Sequence, residues 1–277
     1  MANAEFLIFD KQAQLGRIAA KRETLLAFLA SEGYSTADLL GQALRLSRTA
    51  VFKTLKAMER DGLVKLDYVS YAPGQKGKQT IWGLTPTGAL MAADPEAQDF
   101  RVDYYESGRV APSTVAHHLA IQRARLRAAD AGWSRWESER GCYQRAQREK
   151  GRWPKVPDAL TWTPEGRAVA VEVERHIKTP KRYDAVLNDY ALMMHDRTID
   201  EVHYLCNPGM APRLRRLFDN IATIRVKGQL MPVPDAVRRR LKFFDFDQWP
   251  PVAAGDAAGT APATAVNTDP AREALPA

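Results

Sequence analysis

Residues 156–175 read VPDALTWTPEGRAVAVEVER, and this stretch predicts a β-hairpin. Two runs rich in apolar residues flank the turn sequence Pro164-Glu165-Gly166. In the second run, valine alternates first with alanine and then with glutamate, which is the period of a strand. That period puts Glu172 and Glu174 on the same face. We call this element the carboxylate hairpin.

The turn also predicts the register of the carboxylate hairpin. With a loop centred on Glu165, Asp158 lies directly across from Glu172, and Glu174 follows on the same face. Like charges at such positions destabilise a sheet unless a counter-charge is present. Oxygen ligands of this kind suit a hard divalent cation, so we expect Asp158, Glu172 and Glu174 to bind Mg²⁺ (or Mn²⁺).

Two simpler interpretations of these acids stay open. In the first, a basic neighbour such as Arg175, His176 or Lys178 neutralises the carboxylates within a structural network. In the second, the glutamates lie on an exposed strand face and have no role.

Around the carboxylate hairpin, residues 113–249 alternate between helical and strand-like patterns. This alternation predicts an α/β domain in which a mixed sheet lies between helices. The expected helices cover residues 113–131, a segment opened by Thr179-Pro180, and residues 211–221. The expected strands cover residues 133–138, 156–163, 168–175, 201–206 and, as the last short strand, 224–226.

Residues 17–94 predict three helices followed by a second hairpin, which we call the N-terminal hairpin. The third helix begins after the N-cap candidate Ser47 and ends at Asp61-Gly62. Its apolar stripe, with helical spacing, consists of Val51, Leu55 and Met58. Helix, helix, helix, hairpin is the order of a winged helix-turn-helix.

The opposite face of the third helix carries cationic and short polar residues, with Phe52 among them. A helix that enters the major groove needs this layout for phosphates and base edges. The N-terminal hairpin adds a second cationic element near its tip. We therefore expect contacts with double-stranded DNA from Arg48, Thr49, Lys53, Lys56, Lys76 and Lys78. An ordinary amphipathic helix with a solvated basic face is the alternative.

Charge and composition indicate the kind of partner and the cellular compartment that suit this chain. The chain has 277 residues and a formal net charge of +7, and its pI of about 9.4 fits a polyanionic partner. Its apolar runs are shorter than the ~20 residues of a membrane helix, so we expect no membrane partner. The N-terminal residues lack the pattern of a secretory signal, and there are two cysteines. These features favour a reduced, cytoplasmic protein.

The same patterns predict how the chain divides. We expect a DNA-binding domain at residues 1–94, a linker at 95–112 where the helical periodicity lapses, and the α/β domain at 113–249. Residues 250–277 are mostly Ala, Pro, Gly and Thr. Such a segment buries too little apolar surface to offset its ordering entropy, so we expect a disordered tail.

Two resemblances sharpen the functional prediction. Pro157-Asp158 followed by Glu172-Val173-Glu174 resembles the PD-(D/E)xK nuclease motif, with Glu174 in place of the usual lysine. This resemblance implies a restriction-endonuclease-like fold. The order HHLAIQRARLRAA, WESER, VPDAL and AVEVER behind a winged helix resembles the plasmid replication-relaxation family, which includes MobC-type mobilisation relaxases.

The resemblance implies a metal-dependent endonuclease that nicks plasmid or integrative-element DNA at an origin of transfer or replication, with other relaxosome proteins as further partners. Asp158 and Glu172 would hold Mg²⁺, and Glu174 would be a third ligand or the general base. Lys178, just before a helix start, would replace the missing cation. Glu139 is a weaker candidate for an accessory carboxylate. Of the adjacent His117 and His118, we expect one to pack and the other to be exposed, near phosphate.

Two other functions stay open. One is a non-catalytic DNA-binding regulator or relaxosome accessory protein whose nuclease domain is degenerate. The other is a partner-binding protein in which Tyr183, Tyr190 and an arginine-rich helix form a homodimer interface. A tyrosine relaxase is disfavoured because the five histidines include no H-x-H pair. A zinc site and a Walker phosphate loop have no matching motif.

Overall fold

A computed structural model describes residues 10–70, 76–94, 96, 102–226 and 228–251, in a mixed α/β arrangement. The rest of the sequence lies outside the described residues. It includes most of the expected disordered tail, the very tip of the N-terminal hairpin and part of the expected linker. In the described part of the chain, no helix combines the length and the apolar surface that crossing a bilayer requires.

The N-terminal part has the expected order of three helices and a hairpin. The helices are α1 (Lys11–Glu32), α2 (Ala37–Leu44), α3 (Arg48–Arg60) and, after the hairpin, α4 (Pro86–Ala92). The strands are β1 (Tyr34–Ser35), β2 (Val64–Ser70) and β3 (Lys78–Leu84). They form an antiparallel sheet in the order β1-β3-β2.

The third helix follows its sequence pattern closely. The Ser47 side chain accepts a hydrogen bond from the Ala50 N–H at 3.4 Å, as expected of an N-cap. Val51, Leu55 and Met58 are fully buried against the rest of the N-terminal part. The predicted apolar stripe is therefore confirmed, and the opposite face of α3 remains exposed.

The C-terminal part is built on a mixed five-stranded sheet, as the sequence predicts. Its strands are β4 (Ser134–Ser138), β5 (Ala159–Trp162), β6 (Ala168–Glu174), β7 (Glu201–Cys206) and β10 (Leu241–Asp245). The sheet order is β10-β7-β6-β5-β4. Strands β6, β7 and β10 are parallel, whereas β4 and β5 are antiparallel to their neighbours. The helices are α5 (Pro112–Asp130), α6 (Glu139–Arg148), α7 (Pro180–His195), α8 (Ala211–Asp219) and α9 (Asp235–Arg240).

The end of the main sheet differs from expectation. Residues expected to form its last strand lie in β8 (Thr223–Val226), which pairs with β9 (Gln229–Pro232) in a separate two-stranded sheet. The edge position beside β7 belongs to β10, which follows three consecutive arginines in α9. This strand was missed because a short apolar run gives little periodicity to recognise.

Both faces of β6 are covered. Its valines pack against α5 residues in one core cluster, and Ala170 packs on the other face against α7 and α8. Parallel strands are usually buried in this way. The two glutamates of β6 point to the α7 face, where a charged group requires a partner.

Helix α5 joins the two parts of the chain. Ser35 Oγ donates to Gln122 Oε1 at 2.6 Å, and both residues are fully buried. Arg125 contacts Glu32 at 2.6 Å in the same interface. Within the segment expected to be a linker, Tyr105 packs directly on Gly83, where any side chain would collide with it. The two parts are thus held together by packed contacts.

Candidate carboxylate site and nucleic-acid interface

The register of the carboxylate hairpin is the expected one. Strands β5 and β6 pair so that Ala159 faces Val171 and Leu160 faces Ala170. Asp158 stands directly before β5, and its Oδ2 accepts a hydrogen bond from the Val173 N–H at 2.8 Å. This bond fixes the Asp158 carboxylate beside the Glu172 position of β6.

Glu172 is a buried carboxylate with two donors. It is 8% exposed, and its Oε1 accepts from Lys155 Nζ at 2.6 Å and from the Tyr190 hydroxyl. Burial raises the pKa of Glu172, and the nearby Asp158 raises it further, while Lys155 and Tyr190 oppose the shift. A further positive charge near Glu172 would therefore stabilise its ionised form.

Glu174 has a separate set of partners. It is 5% exposed, and its Oε2 lies 2.9 Å from Lys178 Nζ. The Tyr183 hydroxyl donates to the same oxygen at 3.2 Å and accepts from the Lys178 N–H at 2.9 Å. Lys178 precedes α7, and its ammonium reaches back to a carboxylate of β6, as the sequence predicts. Thr179 is the N-cap residue of α7, and its side chain makes no capping hydrogen bond.

The expected convergence of three carboxylates is not seen. Within residues 10–70, 76–94, 96, 102–226 and 228–251, no group of three or more His, Cys, Asp and Glu side chains is placed to hold a metal ion. Glu172 and Glu174 are two residues apart on one strand, so their Cα atoms are ~6.6 Å apart. The carboxylate of Glu174 is also already paired with the Lys178 ammonium. Asp158 and Glu172 therefore lie together, whereas Glu174 forms a separate ion pair with Lys178.

One of the adjacent histidines packs, as expected, whereas the other is half-buried and contacts a carboxylate. His117 Nε2 lies 3.3 Å from Asp158 Oδ1, so this residue belongs to the carboxylate site. The pKa of His117 is raised, chiefly by its hydrogen bond to Asp158. His118 packs beside Tyr34 and its Nε2 contacts Glu32 O at 2.7 Å. Glu139, the accessory candidate, is exposed at the start of α6 and adds slightly to the His117 shift.

Sequence reasoning missed two residues of this site. Lys155 stands three residues before Asp158, a proximity that could have drawn attention to it. Tyr204 is the parallel-strand neighbour of Glu172, which only the fold reveals. Its hydroxyl is buried and has no hydrogen-bond partner among the residues that the structure describes. Burial raises the pKa of Tyr204 well above 10, with Glu172 and Glu174 adding to the effect.

The alternative of a dimer interface on α7 does not hold for its two tyrosines. Tyr183 is 2% exposed and Tyr190 is fully buried. Both hydroxyls point to the glutamates of β6 instead of outward. These side chains serve the core and the carboxylate site and cannot contact a partner.

The outer face of α3 presents the expected cationic residues. A shallow depression of about 450 Å³ is lined by Arg48, Thr49, Phe52, Lys53 and Lys56. Lys56 Nζ also lies 2.7 Å from Glu59 Oε2, and such a surface pair is weak enough to be exchanged for a phosphate. Lys76 and Lys78 are exposed where the N-terminal hairpin enters β3.

We compared the chain with curated proteins, solved structures and protein-family profiles. A search of curated proteins finds no match. One solved structure, of the Lactococcus lactis ZitR C30AH42A mutant in apo form, is 27% identical over 29% of this chain and 58% of that chain, with a TM-score of 0.23. A second structure of the mutant is 30% identical over 26% of this chain and 47% of that chain, with a TM-score of 0.22.

The chain therefore spans about half the length of the ZitR chains that it matches, and these TM-scores carry no argument about the fold. A family profile described as replication-relaxation matches residues 26–207. That match includes α3, α5 and the whole carboxylate hairpin. Because it covers more than half of the sequence, the chain belongs to the replication-relaxation family.

Proposed function

We propose that this protein is a metal-dependent DNA endonuclease that nicks plasmid or integrative-element DNA at an origin of transfer or replication. The observation that carries the proposal is the pairing of Asp158, held by the Val173 N–H, with the buried Glu172 beside Lys155. Membership of the replication-relaxation family supports a role in the replication or mobilisation of such an element.

The residues at this site fit a divalent cation. Mg²⁺ usually takes one or two protein carboxylates, with water and phosphate oxygens as its other ligands. Asp158 and Glu172 supply two carboxylates. Burial and then the neighbouring Asp158 raise the pKa of Glu172, and a bound cation would oppose both effects. The buried Tyr204 hydroxyl, unpartnered in the described structure, supplies a donor or acceptor for a bound water.

Asp158 and Glu172 are therefore the residues that would hold Mg²⁺ or Mn²⁺. When bound, the ion would polarise the scissile phosphate and lower the pKa of an attacking water. Lys155 keeps Glu172 in place through its 2.6 Å contact. Glu174 would accept a proton from the water, and the Lys178 ammonium would stabilise charge developing on the phosphate. The resemblance to the PD-(D/E)xK motif agrees with these roles.

The N-terminal part would bring the duplex to this site. Its order of helices and hairpin supports a winged helix-turn-helix, with the exposed face of α3 in the major groove. Arg48, Thr49, Lys53 and Lys56 would contact phosphates and base edges. Lys76 and Lys78 would contact a neighbouring stretch of backbone. Other relaxosome proteins are proposed as partners on the family resemblance alone.

A second candidate is a DNA-binding regulator or accessory protein without nuclease activity. It is favoured by the pairing of every carboxylate of the site with a basic side chain: Asp158 with His117, Glu172 with Lys155, and Glu174 with Lys178. Such pairing would also stabilise a site that performs no chemistry.

Incubation with supercoiled plasmid separates the two candidates. The plasmid should carry DNA that flanks the protein's own gene, and the reaction should contain Mg²⁺, Mn²⁺ or EDTA. The proposal expects conversion of supercoiled to open-circular DNA with either metal and none with EDTA. Gel-shift binding of the same DNA without nicking under any of these conditions would favour the regulator and overturn the nuclease.

A further inference from the structure

A deep cleft lies between the two parts of the chain. It has a volume of about 920 Å³ and is walled by the N-terminal hairpin, one face of α5 and the loops that follow three strands of the main sheet. Its lining includes Gln79, Arg123, Arg127, Arg175, His176 and Phe246. We call it the α5 cleft. The proposed DNA contacts on α3 do not line it.

The position of the cleft favours a ligand. Strands β6, β7 and β10 are parallel and end at Glu174, Cys206 and Asp245. The α5 cleft opens at these carboxyl ends, which is where open α/β sheets bind ligands. Arg175 lines the cleft and directly follows Glu174 in the chain, although the Glu174 side chain points to the α7 face of the sheet. Its far wall belongs to the N-terminal hairpin, which carries Gln79.

The chemistry of the lining fits a nucleic-acid strand. Three arginines and a histidine are opposed by one acid, Asp247, among the lining residues. Arg127 is held in place, because its guanidinium donates to Trp249 O and Asp247 O at 2.6 Å. Arg123 is exposed, and Arg175 is half-buried. Phe246 adds an aromatic side chain to this cationic wall.

The size of the cleft distinguishes a single strand from a duplex. Cavities of ~300–1,000 Å³ enclose ligands of about the size of one or two nucleotides. A duplex is too wide to enter such a space. Cations along a groove together with an aromatic side chain are the usual means of binding single-stranded nucleic acid.

We infer that the α5 cleft binds a single DNA strand, while α3 holds the neighbouring duplex. This inference rests on the proposed function and gives the proposed endonuclease a strand-binding surface. The phosphates would contact Arg123 and Arg175, and one base would stack on Phe246. Strand and duplex would then be bound by different residues of one molecule.

Fluorescence anisotropy with two labelled probes, an oligothymidylate and a duplex, tests this division. Removing one phosphate contact should weaken single-strand binding about fivefold at 0.1 M salt, because each contact contributes a slope of ~0.7. We expect this from Arg123→Ala and from Arg175→Ala, with little change in duplex binding. Phe246→Leu keeps the apolar contact and should cost about tenfold through lost stacking.

Arg213→Ala is the matched control. Arg213 is an exposed arginine on α8, whose buried residues pack on the α7 face of the sheet, away from α5. It should leave binding of both probes unchanged. Melting temperatures should confirm that the exposed Arg123 is replaced without loss of folding.

Three outcomes would overturn the inference. They are unchanged single-strand affinity in all the cleft variants, an equal loss of affinity in Arg213→Ala, and full competition by thymidine monophosphate at the same nucleotide concentration. The last would indicate a pocket for a free nucleotide. None of these outcomes affects plasmid nicking or duplex binding through α3, so failure of the inference is distinct from failure of the proposed function.

Discussion

Lys155 Nζ lies 2.6 Å from Glu172 Oε1, so the counter-charge for the buried glutamate comes from the segment that precedes Pro157. The PD-(D/E)xK motif instead places its lysine two residues after the acid, where this chain has Glu174. Lys155 is only a quarter exposed and also donates to Val156 O at 2.6 Å. Its position is therefore fixed by two bonds.

Replacing Lys155 with methionine should harm both stability and cleavage. Glu172 would lose a donor while still buried, which costs about 1–3 kcal/mol in the free energy of unfolding. Loss of the group that holds the proposed metal ligand Glu172 in place should lower the cleavage rate about 10–100-fold at saturating DNA. Chemical denaturation and single-turnover nicking measure the two effects.

Two control variants show whether the charge and the position of Lys155 cause these effects. Lys155→Arg keeps the charge and should restore much of the cleavage rate. Lys150→Met removes an exposed lysine nearby and should change neither quantity. If Lys155→Met cleaved DNA at the wild-type rate, Lys155 would be only a structural partner of Glu172.

Lys178→Met should affect chemistry more than stability. Glu174 would stay buried without this ammonium but would keep the Tyr183 hydroxyl as a donor, so the change should cost about 1–3 kcal/mol in the free energy of unfolding. The Lys178 ammonium contacts Glu174 at 2.9 Å, and its loss should reduce the cleavage rate at saturating DNA by at least ~100-fold. Lys181→Met, an exposed change in the first turn of α7, is the control. Equal cleavage by both variants would leave Lys178 without a catalytic role.

His203 should make stability depend on pH. Burial lowers the pKa of His203 below its ordinary value of 6.5, although Glu201 opposes the shift. The unfolded chain then binds the proton more readily, so stability is complete above pH 6.5 and falls as the pH drops below it. His203→Gln should remove this slope in denaturant titrations between pH 7 and 5. An identical slope in the variant would mean that other groups cause it.

Lys53→Ala with Lys56→Ala should weaken duplex binding and its dependence on salt. Each lost phosphate contact should lower the slope of log K against log salt by ~0.9. Both residues are exposed on α3 and line one depression, so folding should be unaffected. Lys11→Ala, at the exposed start of α1, is the control. A slope equal to that of the wild type would show that α3 does not touch DNA.

The sequence predicts local features of this protein better than distant ones. The register of the carboxylate hairpin is correct because a short turn at residues 164–166 fixes which strand positions face each other. The buried stripe of α3 follows in the same way from helical spacing. Both depend on residues that are close in the chain.

The parts that were missed depend on contacts between distant segments. Tyr204 meets Glu172 only through the parallel pairing of β6 with β7, and Tyr190 through the packing of α7 on that sheet. His117 reaches Asp158 from α5, 41 positions earlier in the sequence. Neither spacing nor periodicity gives such pairings, so the sequence alone leaves a dimer surface at the α7 tyrosines as an open alternative.

Asp158→Asn provides the most direct test of the proposed nuclease. The amide oxygen of asparagine can still accept the hydrogen bond from the Val173 N–H, so the fold should persist. With Mg²⁺ and saturating DNA, the account predicts a loss of nicking of at least ~100-fold, because the proposed metal ligand loses its negative charge. Duplex affinity, which depends on α3, should stay within twofold of wild type. Nicking at the wild-type rate by this variant, with binding intact, would contradict the account.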